Sequence, residues 1–438
     1  MRIAFITAGA AGMFCGSCMR DNTLVTALIE QGHDAILIPT YMPIRTDEVD
    51  VSQGRIFYGG INVYLQEKSW LFRIAPRFVD WVLNRPMLLR FVSRKARNVN
   101  YADFADLTVS MLRGTDGRQR KELDKLVDWL KTEAKPDVVI LTNALLSGLA
   151  PAIKKQLGVP VVTTLQGDDI FLDALPANAR RRCVDEIRRN DIATDGYICT
   201  SKFYADSMAQ YLGIDRRKMD IVYPGINLKG HDGTPRDRTT IVPTVGFFAR
   251  ICPEKGFHNV VDAFILLRSY TAIPKAKLSV SGWLGEQNRP YYHQQVEKLK
   301  TAGLLDDFEH VDSPDHASKV QFFQSIDVLC VPTNYHEPKG LYILEAWANR
   351  VPVVQPRHGS FPELIETTGG GLLFEPGNLA DCVAKLLQLL TDPSTRSELG
   401  AKGHLGTHQH YTAGVMANET VRSLKRYVGV PSHQIAIS

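Results

Sequence analysis

Two carboxylates, Glu337 and Glu345, flank the start of one predicted helix in the run from His336 to Asn349. The apolar run Ile326 to Val331 before them is short and rich in β-branched residues, which predicts a buried strand closed by Pro332-Thr333-Asn334. From Gly340 onward, Leu341, Leu344, Glu345 and Ala348 recur at helical spacing without Gly or Pro. A helix that begins just beyond a strand end presents free N–H groups and the positive end of its dipole there, which makes an anion site. Glu337 stands at the mouth of that site, where its simplest role is a first-turn dipole partner. Arg250 and Lys255 form a second candidate pair across a turn from strand to helix. A planar guanidinium and a point ammonium placed in that way can clamp a diphosphate, although such a pair standing alone is more often surface charge.

The elements that must position these residues alternate between strand and helix. Arg2 to Thr7, a Gly-rich loop from Ala8 to Ser17, a helix from Met19 to Gln31 and a strand from Asp34 to Pro39 read as one βαβ unit. Gly9, Gly12 and Gly16 do not match the dinucleotide fingerprint, but a Gly-rich strand-to-helix turn still permits close backbone approach of a ligand. Strands are expected again at Asp137 to Thr142 and Val159 to Leu165, and Gln166-Gly167-Asp168-Asp169 follows the second strand end. Asp168 and Asp169 there are either ligand contacts or helix caps. In the second half, strands are expected at Thr244 to Phe248, at Lys277 to a terminating Gly282, and at Phe308 to Val311.

At 438 residues the chain suits two domains of roughly 200 residues each. A net charge of +4, with Lys and Arg scattered, argues against electrostatic binding of nucleic acid. Seven cysteines, several of them within apolar strands, argue for a reducing compartment rather than a disulfide framework. The close pair Cys15 and Cys18 lacks a second pair to complete a zinc site and reads as packing or part of a substrate loop, with redox chemistry as the alternative. No run approaches the roughly 20 apolar residues needed to cross a membrane. Lys68 to Val99 interleaves Arg90, Arg94 and Arg97 with Trp70, Phe72 and Trp81. Its simpler reading is a solvated helix face, and its sharper one an interfacial element meeting anionic membrane or an anionic acceptor.

His336 to Asn349 resembles the signature of the family-4 retaining glycosyltransferases, a Glu-Pro-Phe-Gly-Leu loop and helix with a second Glu eight positions on. Tyr223-Pro224-Gly225-Ile226-Asn227 resembles the motif that closes the family's first domain, and Gly369-Gly370-Gly371 with His358 to Glu363 extends the likeness over the second. The resemblance implies the α/β GT-B fold, two doubly wound Rossmann-like domains facing a central cleft. It places an acceptor-binding domain at 1–228, a linker at 229–241, a nucleotide-sugar domain at 242–411, and a returning helix and tail at 412–438.

The resemblance also implies roles. Glu337 would grip donor-sugar hydroxyls, with Arg250 and Lys255 stabilising the departing diphosphate. Gly16, Gly282, Lys339, Gly340 and Leu341 would line the donor, with Val311 near the nucleobase and Glu345 on the ribose. Gln166, where many members have His, would line the acceptor side with Asp168 and Asp169. Two departures stand out. The usual Phe is Lys339, a cation beside the sugar position, and the usual Gly before Val351-Pro352 is Arg350, where a different local backbone is expected. The implied activity is metal-independent, cofactor-free transfer from a UDP-, GDP- or ADP-sugar to a sugar or lipid-linked hydroxyl. It would take place in the cytoplasm or at the inner membrane face. An epimerase of the same architecture and a non-catalytic sugar-nucleotide binder are the alternatives, since fold does not determine function. As a cleft-mouth residue, Glu337 is expected to lie outside the core.

Overall fold

The computed structural model describes residues 1–9, 15–54, 56–58, 101–231, 233, 242–270 and 275–429, with only the helical backbone at 101–104. The basic stretch from Lys68 to Val99 lies outside them. The chain divides into two units, Met1–Tyr223 with Met416–Ser438, and Pro224–Val415. Each is built on a six-stranded sheet.

In the first unit the strands are β1 (Arg2–Thr7), β2 (Asp34–Pro39), β3 (Val138–Leu141), β4 (Val161–Leu165), β5 (Gly196–Cys199) and β6 (Met219–Ile221). They pair in the order β2-β1-β3-β4-β5-β6, all parallel. All residues of β3, β4 and β5 are buried, as expected of parallel strands covered by helices on both faces. The first helix opens at Gly16 rather than Met19 and runs to Glu30, so Cys15 is its cap and Cys18 lies in its first turn. All seven cysteines are free thiols, and a hydrogen bond that the Cys18 thiol donates to Cys15, together with burial, raises it well above its ordinary range. Residues after Met416 close this unit: Ser423 donates to Asp220 at 2.6 Å, and Tyr427 lies over Gly196, where a Cβ would stand 2.1 Å from the phenol oxygen.

In the second unit the strands are β7 (Thr244–Phe248), β8 (Lys277–Ser281), β9 (Phe308–Val311), β10 (Val328–Cys330), β11 (Val353–Pro356) and β12 (Gly371–Phe374), in the order β12-β11-β10-β7-β8-β9. The chain lays β8 and β9 to one side of β7 and then returns to place β10 on the other. In such sheets ligands bind beyond the carboxyl ends of the strands, where the winding reverses. Here that point lies between β7 and β10.

The helix Leu341–Ala348 is anchored by its inner face. Trp347 is fully buried, donates to the Gly370 carbonyl at 2.7 Å, and leaves no room for a Cβ at Gly370 or Gly403, where one would lie 2.4 or 2.3 Å from the indole. Truncating a large aromatic side chain in such a core costs about 3–5 kcal/mol. Arg350 corrects the expectation of a changed backbone. It keeps the left-handed conformation (φ 58°) that glycine usually supplies, and its guanidinium donates to the Gly233 carbonyl. Among the described residues no helix is long and apolar enough to cross a membrane.

Candidate functional site

The loops leaving β7 and β10 carry Arg250, Lys255 and Glu337. After β7 the chain passes exposed Arg250, makes a 3-10 turn at Pro253–Lys255, and enters the helix Phe257–Ser269 through Gly256. Gly256 has φ 72°, and a Cβ there would lie 1.8 Å from the Pro332 carbonyl, so the two loops touch backbone to backbone. After β10 the chain runs through Tyr335 and Glu337 to Gly340, whose φ of 65° turns it into the helix Leu341–Ala348. The first amides of an α-helix have no intrahelical acceptor, so this N-terminus offers donors and a positive dipole end at the winding reversal.

Glu337 is not the exposed group expected from its place in the motif. It is 3% exposed, because Gly359 passes over its backbone where a Cβ would lie 2.6 Å away and the Ser360 amide donates to its carbonyl at 2.8 Å. Its Oε2 accepts from Lys255 Nζ at 2.5 Å, from Tyr335 Oη at 2.7 Å and from Tyr342 Oη at 3.3 Å. Lys255 also donates to Tyr335 Oη at 2.6 Å and lies 4.8 and 5.4 Å from the ring centroids of Tyr335 and Tyr342. Burial pushes the Glu337 carboxyl up, but the charge and hydrogen bond of Lys255, with help from Tyr335 and Lys339, overcome this and bring it down to about 2. It is therefore a fixed anion at neutral pH. Among the described residues Oε1 accepts only the Lys339 amide, at a long 3.4 Å, which leaves acceptor capacity on that oxygen. Sequence reasoning missed Tyr335 and Tyr342, although both flank Glu337 in the chain. Each burial-raised phenol keeps its proton and so donates.

Glu345 forms a second buried pair, accepting from Lys319 of the helix His316–Ser325 at 2.6 Å. Lys319 was also missed, since one Lys beside an apolar stretch reads as a solvated position. Lys339 is buried, Leu341 half-buried. Gly282 has φ 130° and sits where a Cβ would meet the Ala249 carbonyl at 1.9 Å, which holds the ends of β7 and β8 close together. Val311, half-buried, pairs with Ser281 at the carboxyl end of edge strand β9. Arg250, Lys255, Tyr335, Glu337, Gly340 and Gly282 thus share one edge of the second sheet.

In the first unit, Gly16 is the first residue of its helix. Gln166 is buried, donating to both Asp21 carboxylate oxygens at 3.2 and 3.3 Å and to the Thr142 carbonyl at 2.8 Å. Asp168 is buried as well, and its two oxygens accept the amides of Ala144 at 2.6 Å and Gln166 at 2.9 Å. Burial raises that carboxyl to about 6 despite these two bonds. The Asp168 carboxylate therefore clamps two loops instead of standing open as an acceptor contact. Asp169 is half-buried and accepts from Tyr204 at 2.6 Å. Among the described residues, no group of three or more His, Cys, Asp or Glu stands close enough to hold a metal ion.

Two family models match the chain: Glycosyl transferases group 1 over residues 238–405 and Glycosyltransferase Family 4 over residues 107–229. The D-inositol 3-phosphate glycosyltransferase of Pseudarthrobacter chlorophenolicus is 26% identical over 399 residues, covering 85% of this chain and 92% of that protein. The sulfoquinovosyl transferase SQD2 of Arabidopsis thaliana is 36% identical over 168 residues, 36% of this chain and 31% of that protein. Among solved structures, Anabaena HepE in complex with UDP and glucose superposes with a TM-score of 0.69 at 14% identity, covering 97% of this chain and all of that one.

Proposed function

Because the chain belongs to the GT-B glycosyltransferases of group 1 and family 4, we propose that it moves a sugar from a nucleoside-diphosphate sugar to a hydroxyl acceptor with retention at the anomeric carbon and without a metal ion. The observation that carries this reading is the Lys255–Glu337 pair beside the helix N-terminus at the winding reversal of the second sheet. The diphosphate would lie against the amides of Gly340 and Leu341, with Arg250 and Lys255 supplying the positive charge that a divalent ion supplies elsewhere. Glu337 would turn Oε1 to the sugar hydroxyls while Lys255, Tyr335 and Tyr342 hold Oε2. Charge that develops on the departing diphosphate then meets donors already in place, which is where such sites gain most of their rate.

The direct test is a thermal-shift panel of UDP-, GDP- and ADP-sugars followed by an assay for released diphosphate with and without sugar acceptors. UDP is the first to try, since HepE is solved with it. A nucleoside diphosphate present at 100 times its Kd adds about 2.7 kcal/mol to native stability, so binding is easily seen. No shift with any donor would overturn the reading. Diphosphate release that ignores every acceptor would favour the epimerase alternative.

Two further outcomes are expected. Activity in excess chelator should equal activity without it, and a loss restored by magnesium or manganese would refute metal independence. Glu345→Gln should mainly raise the donor KM, by roughly tenfold to a hundredfold, because a charge-assisted hydrogen bond to a non-reacting part of the donor is worth about 1.5–3 kcal/mol. The Lys319 pair could instead make Glu345 purely structural. In that case the melting temperature would fall while KM held, and steady-state kinetics alongside a melt separates the two.

A further inference from the structure

Arg20, in the helix Gly16–Glu30, is 2% exposed and yet only partly paired. Its Nη1 donates to Asp21 at 3.1 Å, whereas Nε and Nη2 are buried without any hydrogen-bond partner. Those two nitrogens share one edge of the guanidinium plane. They are the parallel donors that take a carboxylate or phosphate side-on in two bonds. A buried cation that leaves this edge unmatched forfeits the hydrogen bonds that would offset its desolvation, an unusual arrangement for a side chain serving packing alone.

The groups around Arg20 belong to the carboxyl edge of the first sheet. Asp21, against Nη1, is held by Gln166, and Gln166 is tied to the Thr142 carbonyl. Thr142 follows β3 and Gln166 follows β4, so the cluster sits beyond the carboxyl ends of the first sheet. The winding of that sheet reverses between β1 and β3. Asn143 Oδ1, next along the chain from Thr142, is also buried without a partner and could accept a hydroxyl proton. The nearby Asp168 carboxylate is occupied by the amides of Ala144 and Gln166.

We infer that the first unit binds an anionic group of the acceptor, a phosphate monoester or a carboxylate, on the Nε and Nη2 edge of Arg20. This deepens the transferase reading and rests on it, for it names the chemical class of the acceptor. Asp21 neutralises the guanidinium in the absence of ligand and fixes its plane. The site therefore selects by bidentate geometry more than by net charge.

The test uses the full chain saturated with a nucleoside diphosphate, so that the second unit's anion site is filled. Inorganic phosphate and acetate are titrated separately at constant ionic strength, with chloride as balance, and melting temperature is followed. A saturable rise is expected with at least one of them, and the tighter of the two identifies the phosphate or the carboxylate source. Arg20→Lys keeps the charge but loses the fork and should weaken binding at least about tenfold, while Arg20→Gln should abolish saturation. Absence of a saturable rise in the wild-type chain, or equal dissociation constants in wild type and Arg20→Lys, overturns the inference. Should Arg20→Gln fail to melt cooperatively, the wild-type titration and Arg20→Lys still decide. Diphosphate binding without anion binding sinks this inference alone, and Arg20-dependent anion binding without diphosphate binding sinks the donor reading alone.

Discussion

Glu337→Gln is expected to lower kcat by at least about a hundredfold while leaving nucleoside diphosphate affinity nearly unchanged. In the proposed reading the carboxylate would face the sugar through Oε1, and its negative charge would matter most when the anomeric carbon gains positive charge. Gln keeps the shape and removes the charge. The structure adds a consequence that the motif alone hides. Glu337 is the buried counter-ion of Lys255, so the variant leaves an ammonium among phenols with no anion beside it. Breaking one half of a buried pair typically costs about 3–5 kcal/mol, which lowers the melting temperature by on the order of ten degrees in a unit of this size. Kinetics must be measured well below that transition. Near-normal kcat in folded variant, or loss of diphosphate binding from this change alone, would show that the sugar-facing role is misassigned.

Lys255→Met should reduce kcat by about 10²–10³, since it removes a preorganised cation from the leaving diphosphate. It should also invert an acid response of the fold. In the wild-type chain the Glu337 carboxyl is held down at about 2 against an ordinary 4.5. Its stabilising contribution, about 3 kcal/mol, is complete above pH 4.5 and is lost as pH falls through the folded value. Without Lys255, burial dominates and the folded-state pKa rises above the unfolded one. The variant then gains stability as pH falls and loses it as pH rises through the raised value. Denaturant unfolding at a series of pH values shows which sign holds. Adding Glu337→Gln to Lys255→Met removes both charges, so the double variant should be less destabilised than the sum of the singles by about 1–3 kcal/mol while remaining inactive. Strict additivity would mean that the two groups do not form the pair seen here.

Much of the architecture can be read from the chain. Short β-branched runs such as Val138 to Leu141 and Val161 to Leu165, separated by amphipathic stretches, permit little besides parallel strands covered by helices, and both sheets have that form. The charged residues at the edge of the second sheet are legible for the same reason. Arg250, Lys255, Glu337 and Gly340 each follow a strand end, and in doubly wound sheets strand ends are where ligands meet the protein.

Strand, turn and helix signals are local, so the chain alone shows which residues stand at the sheet edges. Which of them meet was decided only by the tertiary structure. Lys255 and Glu337 lie 82 positions apart, Lys319 and Glu345 26, Asp21 and Gln166 145, and no local periodicity connects such pairs. Burial, too, was settled only there. Glu337 lies in the core because Gly359, more than twenty positions later, crosses its backbone without a side chain, and Arg20 is enclosed on a helix that in isolation would leave it in water. The pairings follow from the order in which the strands are laid down. That order places β10 beside β7, and it brings an ammonium close enough to a carboxylate that its charge keeps the buried carboxyl ionised.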